Sequence, residues 1–118
     1  LISIQESPWH GLNLCLGTTA EMLANPREEL PGVVESLATT GKIFNIHFRN
    51  IRGRRDDFQE VFVDEGDVDM PHIARILVKH NYEGMLMPDH VPSHSSDPSS
   101  MQAFAYAMGY IKGVLQSI

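Results

Sequence analysis

Cysteine is almost absent from this sequence: Cys15 stands alone among 118 residues. One thiol excludes an internal disulfide and suits a reducing compartment, so a cytoplasmic protein is expected. Long apolar runs are absent as well. No stretch approaches the roughly 20 residues that a membrane-spanning helix requires, and Leu1 to Trp9 lacks the basic-then-apolar order of a secretion signal. No membrane partner is expected. Positive charge is scarce: nine Lys and Arg stand against fifteen Asp and Glu, for a formal charge of −6. Gripping nucleic acid needs a basic face that neutralises phosphates, so a nucleic-acid partner is not expected either. The local exception is the cluster Arg49, Arg52, Arg54 and Arg55. What is plentiful is apolar material, 42% of residues against 20% charged, enough for one core.

Apolar runs alternate with stretches of helical pattern, the arrangement of βα units feeding a mostly parallel sheet. A first strand is expected at Leu12 to Leu16, ended by Gly17-Thr18-Thr19, where a threonine can cap the next helix. Pro26 sits near the start of a helical stretch, and Pro31 begins a second helix running to about Thr40. Gly41 suits the left-handed residue that ends a helix. Lys42 to Phe48 is nearly continuous in apolar character, as in a strand covered on both faces. A polar excursion, Arg49 to Asp57, leads to an extra strand within Phe58 to Val63. Asp69-Met70-Pro71 opens a helix with Pro71 at its first position, and Ile73, Ile76 and Leu77 give it one apolar stripe. Gly84 to Met87 is the third strand. A loop, Pro88 to Ser99, precedes a last helix, Met101 to Gln116.

The fold class is therefore α/β, a partial (β/α)8 TIM barrel of about three βα units. Three units cannot close eight strands, and they leave strand edges and helix faces uncovered. Residues 1–118 are expected to be the C-terminal portion of one barrel domain, with the missing remainder of the barrel as partner; a homo-oligomer stays open.

On this frame Cys15 lies near the end of the first strand, His47 near the end of the second and Asp89 just past the third. They recur once per βα unit, and in an α/β barrel the C-terminal strand ends share the face that holds the active site. Thiolate, imidazole and carboxylate together suit Mn²⁺, Fe²⁺, Co²⁺ or Zn²⁺ better than Ca²⁺, which prefers oxygen alone. Each residue also has an ordinary reading: a buried small apolar side chain for Cys15, a core imidazole for His47, and a turn or helix cap for Asp89.

The segment Lys42-Ile43-Phe44-Asn45-Ile46-His47-Phe48-Arg49-Asn50-Ile51-Arg52-Gly53 resembles the signature of the mannonate dehydratase family, in the xylose-isomerase-like barrel group. The likeness continues through Phe58-Gln59-Glu60 and Asp64-Glu65-Gly66-Asp67. It recurs at Gly84-Met85-Leu86-Met87-Pro88-Asp89-His90-Val91-Pro92 and at Gly11-Leu12-Asn13-Leu14-Cys15-Leu16-Gly17-Thr18. The resemblance implies a divalent metal, commonly manganese with Fe²⁺ or Co²⁺ as alternatives, bound by Cys15, His47 and Asp89, with a further histidine ligand upstream. It implies a hydro-lyase of hexuronate breakdown that converts D-mannonate, a small sugar acid, to 2-keto-3-deoxy-D-gluconate and water. His90 then matches the family's catalytic histidine; its bland role is to orient Asp89.

Arg49 and Arg52 are candidate substrate-binding residues, because a guanidinium fork suits a carboxylate. Equally, they can pair with Asp56, Asp57, Glu60 or Asp64. Asn50 is a candidate to orient substrate or to complete a turn, and Arg54 and Arg55 are expected at the surface. The sequence departs from the family where a loop tyrosine is expected: Asp97-Pro98-Ser99-Ser100 contains none. Tyr106 and Tyr110 fall inside the predicted last helix, where packing is expected, and His94 lies in the loop. Two competing readings follow, a sugar isomerase or epimerase on the same metal scaffold, and a carbohydrate-binding remnant without chemistry.

Overall fold

The structure, a computed structural model, describes residues 2–118. In chain order its elements are β1 (Leu12–Cys15), α1 (Leu16–Ala20), α2 (Pro26–Ala38), β2 (Ile43–His47), β3 (Ile51–Arg54), β4 (Asp57–Glu60), α3 (Met70–Lys79), β5 (Met85–Met87) and α4 (Met101–Gln116). β1, β2 and β5 form a parallel sheet in that order, and β3 and β4 form a separate antiparallel hairpin. Parallel neighbours need a crossover between them. Here α1 and α2 join β1 to β2, while the hairpin and α3 join β2 to β5.

One face of the sheet is covered by helices. Leu14 and Ile46 share a buried cluster with Leu30 and Val34 of α2 and with Ile73, Ala74, Ile76 and Leu77 of α3. The predicted stripe on α3 is therefore its buried side. Covering on both faces, expected from the apolar run in β2, is not found among the described residues. Within β2 the register shifts: Leu12 aligns with Ile43 but Asn13 with Asn45, which leaves Phe44 without a partner on β1. An extra residue on one strand is a bulge, and it changes which side chains share a face. Ile43 and Ile46 are both buried, at 7% and 0% exposure, while Phe44 remains 44% exposed.

Several expected boundaries shift for identifiable reasons. Leu16 belongs to α1 rather than to the strand, and Cys15 rather than a threonine caps that helix, its Sγ accepting from Thr18 N at 3.4 Å. Thr19 bonds backwards instead, donating from Oγ1 to Cys15 O at 2.8 Å. Pro31 does not open a second helix; it lies inside α2, with Pro26 at the helix start. An interior proline costs about 3 kcal/mol. Burying Leu30 and Val34 to 0% exposure returns about 1.5–3 kcal/mol for each side chain, so the unbroken helix wins.

Within the polar excursion Ile51–Arg54 forms β3, and its partner β4, Asp57–Glu60, is the expected extra strand set one residue earlier and ending sooner. Asp69 caps α3 by accepting from His72 N at 2.9 Å, with Pro71 second in the helix. Gly41 takes φ +65° just beyond α2, as expected. α4 has the predicted bounds, and Asp97, 3% exposed, accepts from Ala103 N at 3.0 Å in its first turn. Among the described residues, no helix is long and apolar enough to cross a membrane.

Glu35 ties α2 to α3. Its Oε1 accepts from Lys79 Nζ at 2.5 Å and lies 3.3 Å from His80 Nε2. These bonds, that from Lys79 first, hold the Glu35 carboxyl below the ordinary glutamate range. A carboxyl depressed on folding stabilises the fold above its unfolded value, and that contribution is lost as pH falls through the folded one. Urea midpoints of the native protein and Glu35→Gln should therefore differ at neutral pH and converge in acid below the ordinary glutamate range. A difference independent of pH would refute this role.

Candidate metal centre

The register of the sheet builds this site. Cys15 aligns with His47, and His47 with Met87, so the ends of three strands stand side by side. Phe48 N donates to Met87 O at 2.8 Å, extending the pairing past β2. Asp89 follows two residues beyond Met87 and reaches His47, with Oδ2 3.0 Å from Nδ1. Ligand atoms of Cys15, His47 and Asp89 all lie within 4.8 Å of one another, and all three residues are partly buried.

The donors suit a divalent transition ion in kind and in spacing. Ligands adjacent on one ion, with bonds of about 2.1 Å, stand about 3 Å apart, which is the His47–Asp89 separation. The three together offer one soft sulfur, one imidazole and one carboxylate, a mixture that Ca²⁺ disfavours. The residues present thus fit the group that the sequence implies.

A ring of polar contacts surrounds the trio. His90, 56% exposed, has Nε2 3.3 Å from Asp89 Oδ2 and Nδ1 3.4 Å from Glu60 Oε1. The same Glu60 oxygen accepts from Arg49 Nε at 2.7 Å, and Arg49 Nη2 donates to Glu21 Oε1 at 2.5 Å. Arg49 Nη1 lies 3.9 Å from Cys15 Sγ. Burial disfavours the Arg49 charge, but the bonds to Glu60 and Glu21 outweigh it and hold Arg49 above the ordinary arginine value. Gly17 makes room for this side chain: a Cβ there would stand 2.9 Å from Nη1.

The three candidate substrate contacts have other commitments. Both forks of Arg49 face carboxylates of its own chain, so the pairing with Glu60 weighed from sequence is the arrangement found. Asn50 is 1% exposed. Its Nδ2 donates to Val63 O and Val68 O, each at 3.0 Å, and its Oδ1 accepts from Ile51 N and Val68 N. It closes the loop after β2, and Gly66 packs against it too closely to carry a side chain. Arg52 is exposed on β3 and donates from Nη2 to Glu65 O at 3.0 Å. Tyr106, on α4, meets Phe62 edge-on at 5.7 Å between ring centres. A hydrogen bond to Asp64 holds its hydroxyl above the ordinary tyrosine range.

Sequence reasoning overlooked Glu21, Asn13 and Asn45. Glu21 carries no signal, since its partner lies far along the chain. The asparagines do carry one: each stands two residues before a candidate ligand, hence on the same face of its strand. Asn45 Nδ2 donates to Asn13 Oδ1 at 2.9 Å, and Asn13 Nδ2 lies 3.0 Å from His47 Nε2.

Parallel strand ends that gather a thiol, an imidazole and a carboxylate define an α/β protein with a candidate metal site. A sequence profile described as D-mannonate dehydratase (UxuA) matches residues 1–118, and the chain belongs to that family. It is 28% identical over 91 residues to a mannonate dehydratase of Streptococcus pneumoniae (strain 70585), covering 75% of this chain and 24% of that protein. It is 29% identical over 93 residues to one of Geobacillus thermodenitrificans (strain NG80-2), covering 76% and 24%. The fold is similar to the crystal structure of mannonate dehydratase from Streptococcus suis serotype2, with a TM-score of 0.79 and 23% identity over 96% of this chain and 34% of that one. The chain thus spans about a quarter of the length of the curated relatives it matches.

Arg49 links α1, the hairpin and the candidate centre, so its loss should register as stability. Removing one partner of a buried charge pair costs about 3–5 kcal/mol; because Glu21 and Glu60 keep 20% and 32% exposure, about 1–3 kcal/mol is expected for Arg49→Met. Arg49→Lys keeps the charge without the fork and should fall between. Equal midpoints for all three proteins in urea denaturation would rule out the strut.

Proposed function

We propose that this chain forms one side of the active site of a TIM-barrel hydro-lyase that dehydrates D-mannonate to 2-keto-3-deoxy-D-gluconate. The observation that carries the reading is the convergence of Cys15, His47 and Asp89 at the C-terminal ends of three parallel strands. Membership of the D-mannonate dehydratase family supplies the substrate class. In this reading residues 1–118 are the C-terminal portion of the barrel, and the remaining strands cover the open face of the sheet.

Cys15 Sγ, His47 and Asp89 would hold the ion, with manganese, iron(II) or cobalt(II) suiting the donor set. Bound there, such an ion supplies Lewis-acid stabilisation of the negative charge that develops beside the substrate carboxylate. The reaction takes a proton from the carbon next to that carboxylate and expels the hydroxyl of the neighbouring carbon, which leaves as water. The enol so formed takes a proton at the carbon that lost its hydroxyl and gives up its own O–H proton, which yields the 2-keto product. Each proton needs a positioned carrier.

His90 suits that task. It adjoins Asp89, it is the more exposed member of the pair, and carboxylate oxygens of Asp89 and Glu60 stand 3.3 and 3.4 Å from its ring nitrogens. Arg52 keeps free donors for a substrate carboxylate, whereas Arg49 and Asn50 act on substrate only through the residues they hold. One observation favours the second reading, an isomerase or epimerase on the same scaffold: the loop Asp97-Pro98-Ser99-Ser100 offers no tyrosine as a partner to His90.

The test is a product assay on the complete protein supplied with Mn²⁺ and D-mannonate. Formation of 2-keto-3-deoxy-D-gluconate should cease with chelator and in Asp89→Ala, and His90→Gln should lower kcat by about 10²–10⁴-fold. Product formation that persists in Asp89→Ala would overturn the metal role. An isomeric sugar acid as sole product would favour the second reading.

A further inference from the structure

A cysteine that serves only as a small apolar side chain needs no donors around its sulfur. Cys15 Sγ is placed otherwise, because N–H groups from two separate elements face it. Thr18 N, in the first turn of α1, donates to Sγ at 3.4 Å. Arg49 Nη1 approaches from beyond the end of β2, at 3.9 Å.

Several residues arrange the second donor. Arg49 is 7% exposed, and its nitrogens are directed to separate partners. Nε donates to Glu60 Oε1 at 2.7 Å and Nη2 to Glu21 Oε1 at 2.5 Å. Nη1 remains, and Cys15 Sγ is its one hydrogen-bond partner among the described residues. A guanidinium is a rigid planar fork, so holding two of its nitrogens fixes the third. The two carboxylates therefore aim Nη1 at the sulfur. Gly17 completes the arrangement: a Cβ there would stand 2.9, 3.0 and 3.1 Å from Nη1, Cγ and Cδ of Arg49. Since Gly17 lies within α1, where any residue can take the backbone, space is what calls for glycine.

A strut between α1 and the hairpin would need only Nε and Nη2. What the third contact adds is chemical. Sulfur ligates a divalent ion as a thiolate, which keeps lone pairs beside the one it gives to the metal. Donors to those lone pairs draw electron density from the sulfur, and hydrogen bonds of this kind tune copper and iron–sulfur centres. They also fix the direction from which the ligand meets its ion.

We propose that Arg49 is a positioning residue for Cys15: with Thr18 N it hydrogen-bonds the sulfur that ligates a divalent cation, orienting that sulfur and drawing charge from it. This rests on the metal reading of Cys15, His47 and Asp89.

The experiment uses the complete protein loaded with Co²⁺, whose bond to a thiolate absorbs in the near ultraviolet by charge transfer from sulfur to metal. Cys15→Ser should lose this band. Donors lower the energy of the sulfur lone pairs, so losing one should move the band to longer wavelength. Arg49→Lys keeps the charge without the fork, and at saturating Co²⁺ its band should be shifted in that direction. Gly17→Ala keeps the guanidinium but displaces it, and its band should shift the same way. Glu35→Gln, which loosens α2 from α3 outside this cluster, should leave the band in place. A general loss of stability therefore does not mimic the result.

A band unmoved in Arg49→Lys or in Gly17→Ala would overturn the proposal and leave Arg49 as a strut. So would a shift to shorter wavelength, or an equal shift in Glu35→Gln. If Arg49→Lys does not fold, Gly17→Ala decides by the same criterion. A native Co²⁺ spectrum without any band that Cys15→Ser abolishes would remove Cys15 from the ligands. The metal reading and this proposal would then fall together, a result distinct from a thiolate band that stays in place.

Discussion

Parallel strands hydrogen-bonded about 4.8 Å apart carry residues of matching register side by side and on the same face. In this chain that constraint joins Cys15 to His47 and His47 to Met87, and brings Asp89 within 3.0 Å of His47. A slip of one residue would turn every one of these side chains toward the helices. The bulge at Phe44 is what reconciles the two faces of β2. Strict alternation would put Ile43 on the side of Asn45 and His47. The shift instead lets Ile43 and Ile46 both enter the core, while Asn45 and His47 remain on the open face. The apolar demand of the helices and the polar demand of the site are thus met by one irregularity.

The hairpin inserted between β2 and α3 acts on the same site from its rim. Arg49 leaves the end of β2, crosses over Gly17 and divides its guanidinium between Glu21, just past α1, and Glu60 on β4. Glu60 in turn faces His90, which adjoins Asp89. The hairpin itself is anchored by Ile51, which is fully buried, and by Asn50, whose amide is bonded on every side by backbone. A burial-driven contact and a saturated buried amide hold better than an exposed ion pair would. Glu60 can therefore keep both Arg49 and His90 in place although it is partly exposed itself.

Most of the frame was legible because it depends on local pattern. The period of apolar residues found α3 and α4, and strand ends spaced once per βα unit found Cys15, His47 and Asp89. What escaped depends on distant partners. Nothing near Arg49 announces that Glu21 will meet it, so a guanidinium free for substrate and one locked in a strut read alike. Pro31 reads as a helix start because local propensity says so, and only the burial of Leu30 and Val34 reverses that. Cys15 takes the cap that a threonine was expected to supply because the chain turns one residue earlier. Asn13 and Asn45 were within reach of the alternation rule, but an asparagine in a strand carries no chemistry of its own until its neighbour is known.

The loop Asp97-Pro98-Ser99-Ser100 holds no tyrosine, and those of α4 are engaged elsewhere. Tyr106 and Tyr110 are the tyrosines on α4. Asp64 raises the Tyr106 hydroxyl above its ordinary range by accepting its hydrogen bond, and burial raises that of Tyr110. Both shifts favour the protonated phenol. Tyr106 is further engaged by Phe62, so α4 contributes packing around the hairpin's exit. The candidate ligands sit on or just beyond neighbouring strands, whose register sets their backbones side by side. His90 is placed differently. It stands in the loop one residue beyond Asp89, 56% exposed, with Asp89 Oδ2 3.3 Å from Nε2 and Glu60 Oε1 of β4 3.4 Å from Nδ1.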